Sequence, residues 1–133
     1  MTQNEWDVSL LALCVWREAS DQPVSVKGVI ACTIRNRVQK PGWWGTDYAS
    51  VICKRLQYSS MTAAGDPNLI RWPLPNDTSW QACMEVAQSC YDGTIVDQSG
   101  GATNYYDISM PEPPAWAEGM TFISTVGAFR LYK

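Results

Sequence analysis

Up to Gly93 the apolar residues of this chain recur every three or four positions; beyond it they alternate over short runs. A period near 3.6 belongs to helices and a period of 2 to strands, so helices come first and a small antiparallel sheet last, an α+β domain. Thr2 followed by Glu5 is a capping-box pattern, and it opens a helix running to about Ala19. Leu11, Cys14, Val15 and Glu18 fall in one line along it. After Pro23 a second helix covers Val24 to Val38, with Val26, Val29, Ile30, Thr33 and Ile34 expected inward and Lys27, Arg35 and Arg37 outward. Lys40-Pro41-Gly42 ends it. Thr46-Asp47 starts a short helix reaching about Arg55, and Leu56 to Asn76, with Pro67, Pro73 and Pro75, reads as a loop. Asp77 or Thr78 caps the next helix, which lines up Trp80, Cys83, Val86, Ala87 and Cys90 and closes at Gly93. Strands are expected at Thr94–Val96, at Ala102–Asp107 after the Ser99-Gly100-Gly101 turn, and within Phe122–Tyr132. Pro111, Pro113 and Pro114 forbid regular structure between the last two, apart from a turn at Trp116 to Met120.

With no internal repeat or linker, residues 1–133 form one domain. The sequence has no histidine, which removes Ser-His-Asp and Cys-His nucleophiles, His-ligated zinc and histidine acid/base chemistry together. Proton transfer then falls to a carboxylate. A net charge of −3 argues against nucleic acid as a partner. The five cysteines are an odd number without a Cys-x-x-Cys pair, so free thiols in a reducing compartment are expected, with no metal and no cofactor. Leu10 to Trp16 is too short an apolar run to span a membrane, and the first residues carry no basic export signal. The expectation is a monomer made in the cytoplasm.

Glu18 is the sharpest candidate. A helix C-terminus and apolar neighbours in line with it both raise a carboxyl's pKa, as a general acid at neutral pH requires. By spacing alone, a frayed helix end with Glu18 paired to Arg17 or solvated is the simpler account. Gln57-Tyr58-Ser59 supplies hydrogen bonds and an aromatic ring suited to a sugar, or simply an anchored turn. In Gly100 to Asp107, strand alternation puts Thr103 and Tyr105 on one face and Asn104 and Tyr106 on the other. Asp97 and Asp107 are the candidates for a second carboxylate. Among seven tryptophans, Trp6, Trp16 and Trp80 are expected in the core, whereas Trp43, Trp44 and Trp72 stand in loops.

Trp16-Arg17-Glu18-Ala19-Ser20, Gly28 to Val38, Gln57-Tyr58-Ser59, Gly101 to Tyr106, Trp116-Ala117 with Met120, and the closing Gly127, Arg130 and Tyr132 follow in a familiar order. The ordered set resembles the cell-wall hydrolase family of the spore-cortex lytic enzyme SleB. That resemblance implies a lysozyme-like, lytic transglycosylase-like fold and cleavage of peptidoglycan glycan strands between N-acetylmuramic acid and N-acetylglucosamine. It implies Glu18 as the catalytic group, with Gln57, Tyr58, Ser59, Thr103, Asn104, Tyr105 and Tyr106 as substrate-binding candidates. Arg17, Ser20, Asn104 and Phe129 depart from the family's usual Gly, Arg, His and His. One carboxylate suits a lytic transglycosylase; a muramidase would draw on Asp97 or Asp107. A non-catalytic peptidoglycan-binding module and a virion structural protein are the rival readings. The missing export signal together with the family resembles a phage endolysin, released to the cell wall through a membrane pore.

Overall fold

The computed structural model describes residues 1–133. Helix α1 (Gln3–Ala19) begins at the expected capping box, with the Glu5 amide donating to Thr2 Oγ1 and the Thr2 amide to Glu5. Helix α2 (Val24–Gln39) starts after Pro23 and, with α5 (Thr78–Asp92), encloses α1. Leu11, Val15, Ile30, Ile34, Cys83, Ala87 and Cys90 meet in one core, fully closed to solvent. Asp77 caps α5 and Gly93 ends it at φ +76°, as the end signals predict.

The short helix α3 (Tyr48–Ile52) stops before Arg55. The expected loop is partly ordered, by α4 (Ser59–Thr62) and a 3-10 turn at Pro67–Ile70. Strands β1 (Asn104–Asp107), β2 (Phe122–Val126) and β3 (Phe129–Tyr132) form one antiparallel sheet in the order β1-β3-β2. Gly127 makes the β2–β3 turn at φ +54°, where an added Cβ would sit 2.6 Å from Gln22 Oε1. That oxygen accepts from the Ala128 amide, docking the sheet on the α1–α2 turn.

Several expectations fail because periodicity does not say which groups the folded chain brings to an amide or a side chain. Thr94–Val96 is no strand, because the Thr94 and Ile95 amides donate back to Ser89 O of α5. Lys27 and Arg37, expected outward, are each only 4% exposed. The Lys27 ammonium donates to Ser20 O and Gln22 O, closing the α1–α2 turn. Trp6, expected in the core, is 52% exposed and lines an apolar groove with Trp72 and Trp80. All five cysteines are free, and no helix is long and apolar enough to cross a membrane.

Candidate active site

Glu18 occupies the last turn of α1, half-buried, where the helix dipole already disfavours its negative charge. Its Oε1 accepts a 3.0 Å hydrogen bond from the Tyr105 hydroxyl of β1. Burial pushes the Glu18 carboxyl up to about 7; the Tyr105 hydrogen bond opposes this and the negative charge of Asp66 adds to it. Near neutral pH the group is therefore divided between acid and carboxylate, as a residue that both gives and takes a proton must be.

Two walls flank it. The first is the segment carrying α4 and the following 3-10 turn, fastened to α1 by Arg17. The Arg17 guanidinium donates from Nε and Nη2 to Arg71 O (3.1 and 3.0 Å) and from Nη1 to Ser60 O (3.2 Å), and lies 4.7 Å over the Trp72 ring. It thus leaves the helix toward the loop and is not among the charges that shift Glu18. On this wall Asp66 accepts from Ser59 Oγ (2.7 Å) and the Asn68 amide (2.8 Å). Its position was not legible in the sequence, because a loop aspartate with turn-forming neighbours reads only as a cap.

The second wall is β1, fastened to α2 by Arg37. Arg37 Nε donates to Thr103 O at 2.6 Å and Nη1 to Gln57 Oε1 at 3.2 Å. Its guanidinium lies 5.3 Å from both the Trp44 and Tyr58 ring centres. Gln57 is held between two non-glycine residues of positive φ, Leu56 (+68°) and Tyr58 (+44°). Such backbone costs on the order of 1–2 kcal/mol per residue and persists where surrounding contacts enforce it. The Tyr58 hydroxyl, buried and without a hydrogen-bond partner, has its pKa raised by burial, with Glu18 among the nearby charges that raise it further.

A family model described as cell wall hydrolase matches residues 21–132. The chain belongs to the cell wall hydrolase family. The match begins just after Glu18, so the case for that residue rests on its own geometry. The fold is that of the catalytic domain of the germination-specific lytic transglycosylase SleB from Bacillus anthracis, at TM-score 0.74 and 19% identity over 100% of this chain and 97% of that one. The catalytic domain of the Bacillus cereus SleB protein is equally similar, at TM-score 0.74 and 20% identity over 100% and 92% of the two chains. No curated protein matches the sequence. Family membership makes this chain an enzyme of the cell wall rather than a binding module or a virion structural part.

In this cell wall hydrolase the expected site residues separate by what they touch. Tyr105 touches Glu18, and Gln57 and Asn104 line a neighbouring pocket of about 430 Å³. Tyr58 is half-buried with its ring against the Arg37 guanidinium, and Thr103 is tied down through its carbonyl to Arg37 and through its hydroxyl to Asn104 Oδ1. Tyr106 lies on the opposite face of β1 from Tyr105, stacked on Tyr132 and edge-on to Trp116. Ser59 is exposed and bonded to Asp66. The two carboxylates singled out as possible partners are engaged elsewhere. Asp97 accepts from Asn36 Nδ2 and the Ser99 amide, Asp107 accepts from the Ser109 amide, and neither is among the charges acting on Glu18. Asp66 is the one carboxylate that is.

Proposed function

We propose that this enzyme cleaves the β-1,4 bond between N-acetylmuramic acid and N-acetylglucosamine in peptidoglycan, as a lytic transglycosylase. Neutral Glu18 donates its proton to the glycosidic oxygen. The bond from that oxygen to muramic C1 breaks, and its electron pair leaves with N-acetylglucosamine. The carbonyl oxygen of the muramic acetamido group stabilises the positive charge at C1. Glu18, now a carboxylate, takes the proton of the muramic 6-hydroxyl, and O6 bonds to C1 to close a 1,6-anhydro ring. Glu18 ends as it began, protonated.

The observation that carries this reading is the poise of Glu18 near 7, in a half-buried position with one hydroxyl donor. A single group of this kind serves both proton transfers. Two tests separate the possibilities. Glu18→Gln is expected to lower lysis of purified murein by about a thousandfold, the scale of general acid–base catalysis. Mass spectrometry of the wild-type products is expected to find muropeptides lighter by one water than hydrolysis would give.

A specific observation favours one second reading. Asp66 accepts two hydrogen bonds and its charge raises the Glu18 pKa, which gives Glu18 a second carboxyl of the kind that glycoside hydrolysis uses. Products carrying the extra water, lost in Asp66→Asn, would establish this muramidase route in place of the anhydro-forming one.

A further inference from the structure

Beside the Glu18 walls, the pocket of about 430 Å³ has an unusual distribution of chemistry. Its rim is aromatic: Trp43 is 61% exposed and Trp116 36% exposed. Met120 also lines it, and no acidic side chain does. Gln57 and Asn104 are the amides in its lining, and both are oriented by protein donors.

A guanidinium can only donate, so Arg37 Nη1 at 3.2 Å fixes the Gln57 carbonyl oxygen inward. Thr103 Oγ1 donates likewise to Asn104 Oδ1 at 3.1 Å. Each oxygen thereby holds one protein donor, which turns the amide nitrogen the other way. Neither amide nitrogen has a protein acceptor, and neither is among the buried atoms lacking a partner, so each keeps accessible surface in a residue that lines the pocket. Behind them the buried Arg37 adds positive potential. The pocket therefore offers donors, a cation behind them, and apolar walls of indole and thioether.

A ligand group that fits must present an acceptor oxygen beside a small apolar surface. An acetamido group does so, through its carbonyl and methyl, and the C–H face of its sugar ring suits an indole. A free 2-amino sugar presents an ammonium, which brings no acceptor to the two amide N–H donors and meets the positive charge of Arg37. We infer that Trp43, Trp116, Gln57 and Asn104 form a subsite that reads the N-acetyl group of the glycan and rejects N-deacetylated sugar. This inference rests on the proposed peptidoglycan substrate and adds to it a criterion for which glycan is accepted. Trp116 is itself propped by Tyr106 and Tyr132 at 6.1 and 5.5 Å between ring centres, which gives Tyr106 its place in the site.

The probes are tri-N-acetylchitotriose and its fully deacetylated counterpart, titrated calorimetrically into the Glu18→Gln chain so that no turnover intervenes. The acetylated trimer is expected to bind at least about tenfold more tightly, the discrimination left when buried donors lose their acceptor. Gln57→Glu replaces a donor by an anion and is expected to reduce or reverse that preference. Trp116→Ala is expected to weaken the acetylated trimer by about tenfold with the fold intact by circular dichroism. Equal affinities for the two trimers, no binding of the acetylated one, or a preference unmoved by Gln57→Glu would overturn the subsite. Murein lysis by the wild-type chain tests the reaction separately. Lysis without discrimination leaves the reaction standing and removes the subsite; discrimination without lysis does the opposite.

Discussion

The two walls beside Glu18 are built by the same device and act on it in opposite senses. Each is tied to a helix by a buried arginine that donates to main-chain carbonyls: Arg17 to Ser60 O and Arg71 O, Arg37 to Thr103 O. The loop wall brings Asp66, whose negative charge raises the Glu18 pKa; the sheet wall brings Tyr105, whose hydrogen bond lowers it. The contrast teaches that burial sets the level of this carboxyl and the walls trim it from either side. The walls also differ in reach. Arg37 additionally orients Gln57 in the neighbouring pocket, whereas Arg17 serves the loop alone.

The largest expected effect is that of Arg37→Met. It strands the Thr103 carbonyl and frees Gln57, and about 3–4 kcal/mol of stability should be lost, together with saccharide affinity. Urea unfolding and calorimetry on the same protein check both. An unchanged affinity would break the claim that this wall orients the pocket.

Next comes Glu18 itself. Its folded value near 7 lies above the ordinary carboxylate value of about 4.5. The folded state holds the proton longer than the unfolded chain, so stability is greatest below the lower value, falls as pH rises toward 7 and levels off above it. Glu18→Gln is therefore expected to exceed wild type by about 3 kcal/mol at pH 8 and to match it near pH 4. Thermal or denaturant unfolding at the two pH values tests this, and a variant no more stable at pH 8 would contradict the raised pKa.

Arg17→Met should cost about 3 kcal/mol, through two unmet carbonyls, while leaving trimer binding unchanged. Equal losses of affinity in the Arg17 and Arg37 variants would erase the distinction between the walls. The smallest effects sharpen it most. In pH–rate profiles of murein lysis, Tyr105→Phe should move the alkaline limb upward and Asp66→Asn should move it downward, each by at most about one pH unit. Shifts of the same sign would show that the walls do not oppose each other.

Much of this arrangement was readable along the chain. The Thr2–Glu5 capping box, the Asp77 cap, the Gly93 stop and the change of period after it depend on residues within a turn of one another, and each formed as expected. So did the line of Leu11, Cys14 and Val15 that leads to Glu18, because helical geometry alone puts them on one stripe. The alternation that sends Tyr105 and Tyr106 to opposite faces of β1 is equally local.

Tertiary structure alone decided which polar groups go inside and what they meet. Arg37 reaches Gln57 across 20 residues and Thr103 across 66; Arg17 reaches Arg71 across 54. A long basic side chain on a helix carries the same local pattern whether its head ends in water or on a buried carbonyl. The indoles of Trp43 and Trp116 share a pocket because separate segments converge there, and Asp66 acts on Glu18 for the same reason. Periodicity reports the near neighbours of a residue, and the chemistry of this site is made by its distant ones.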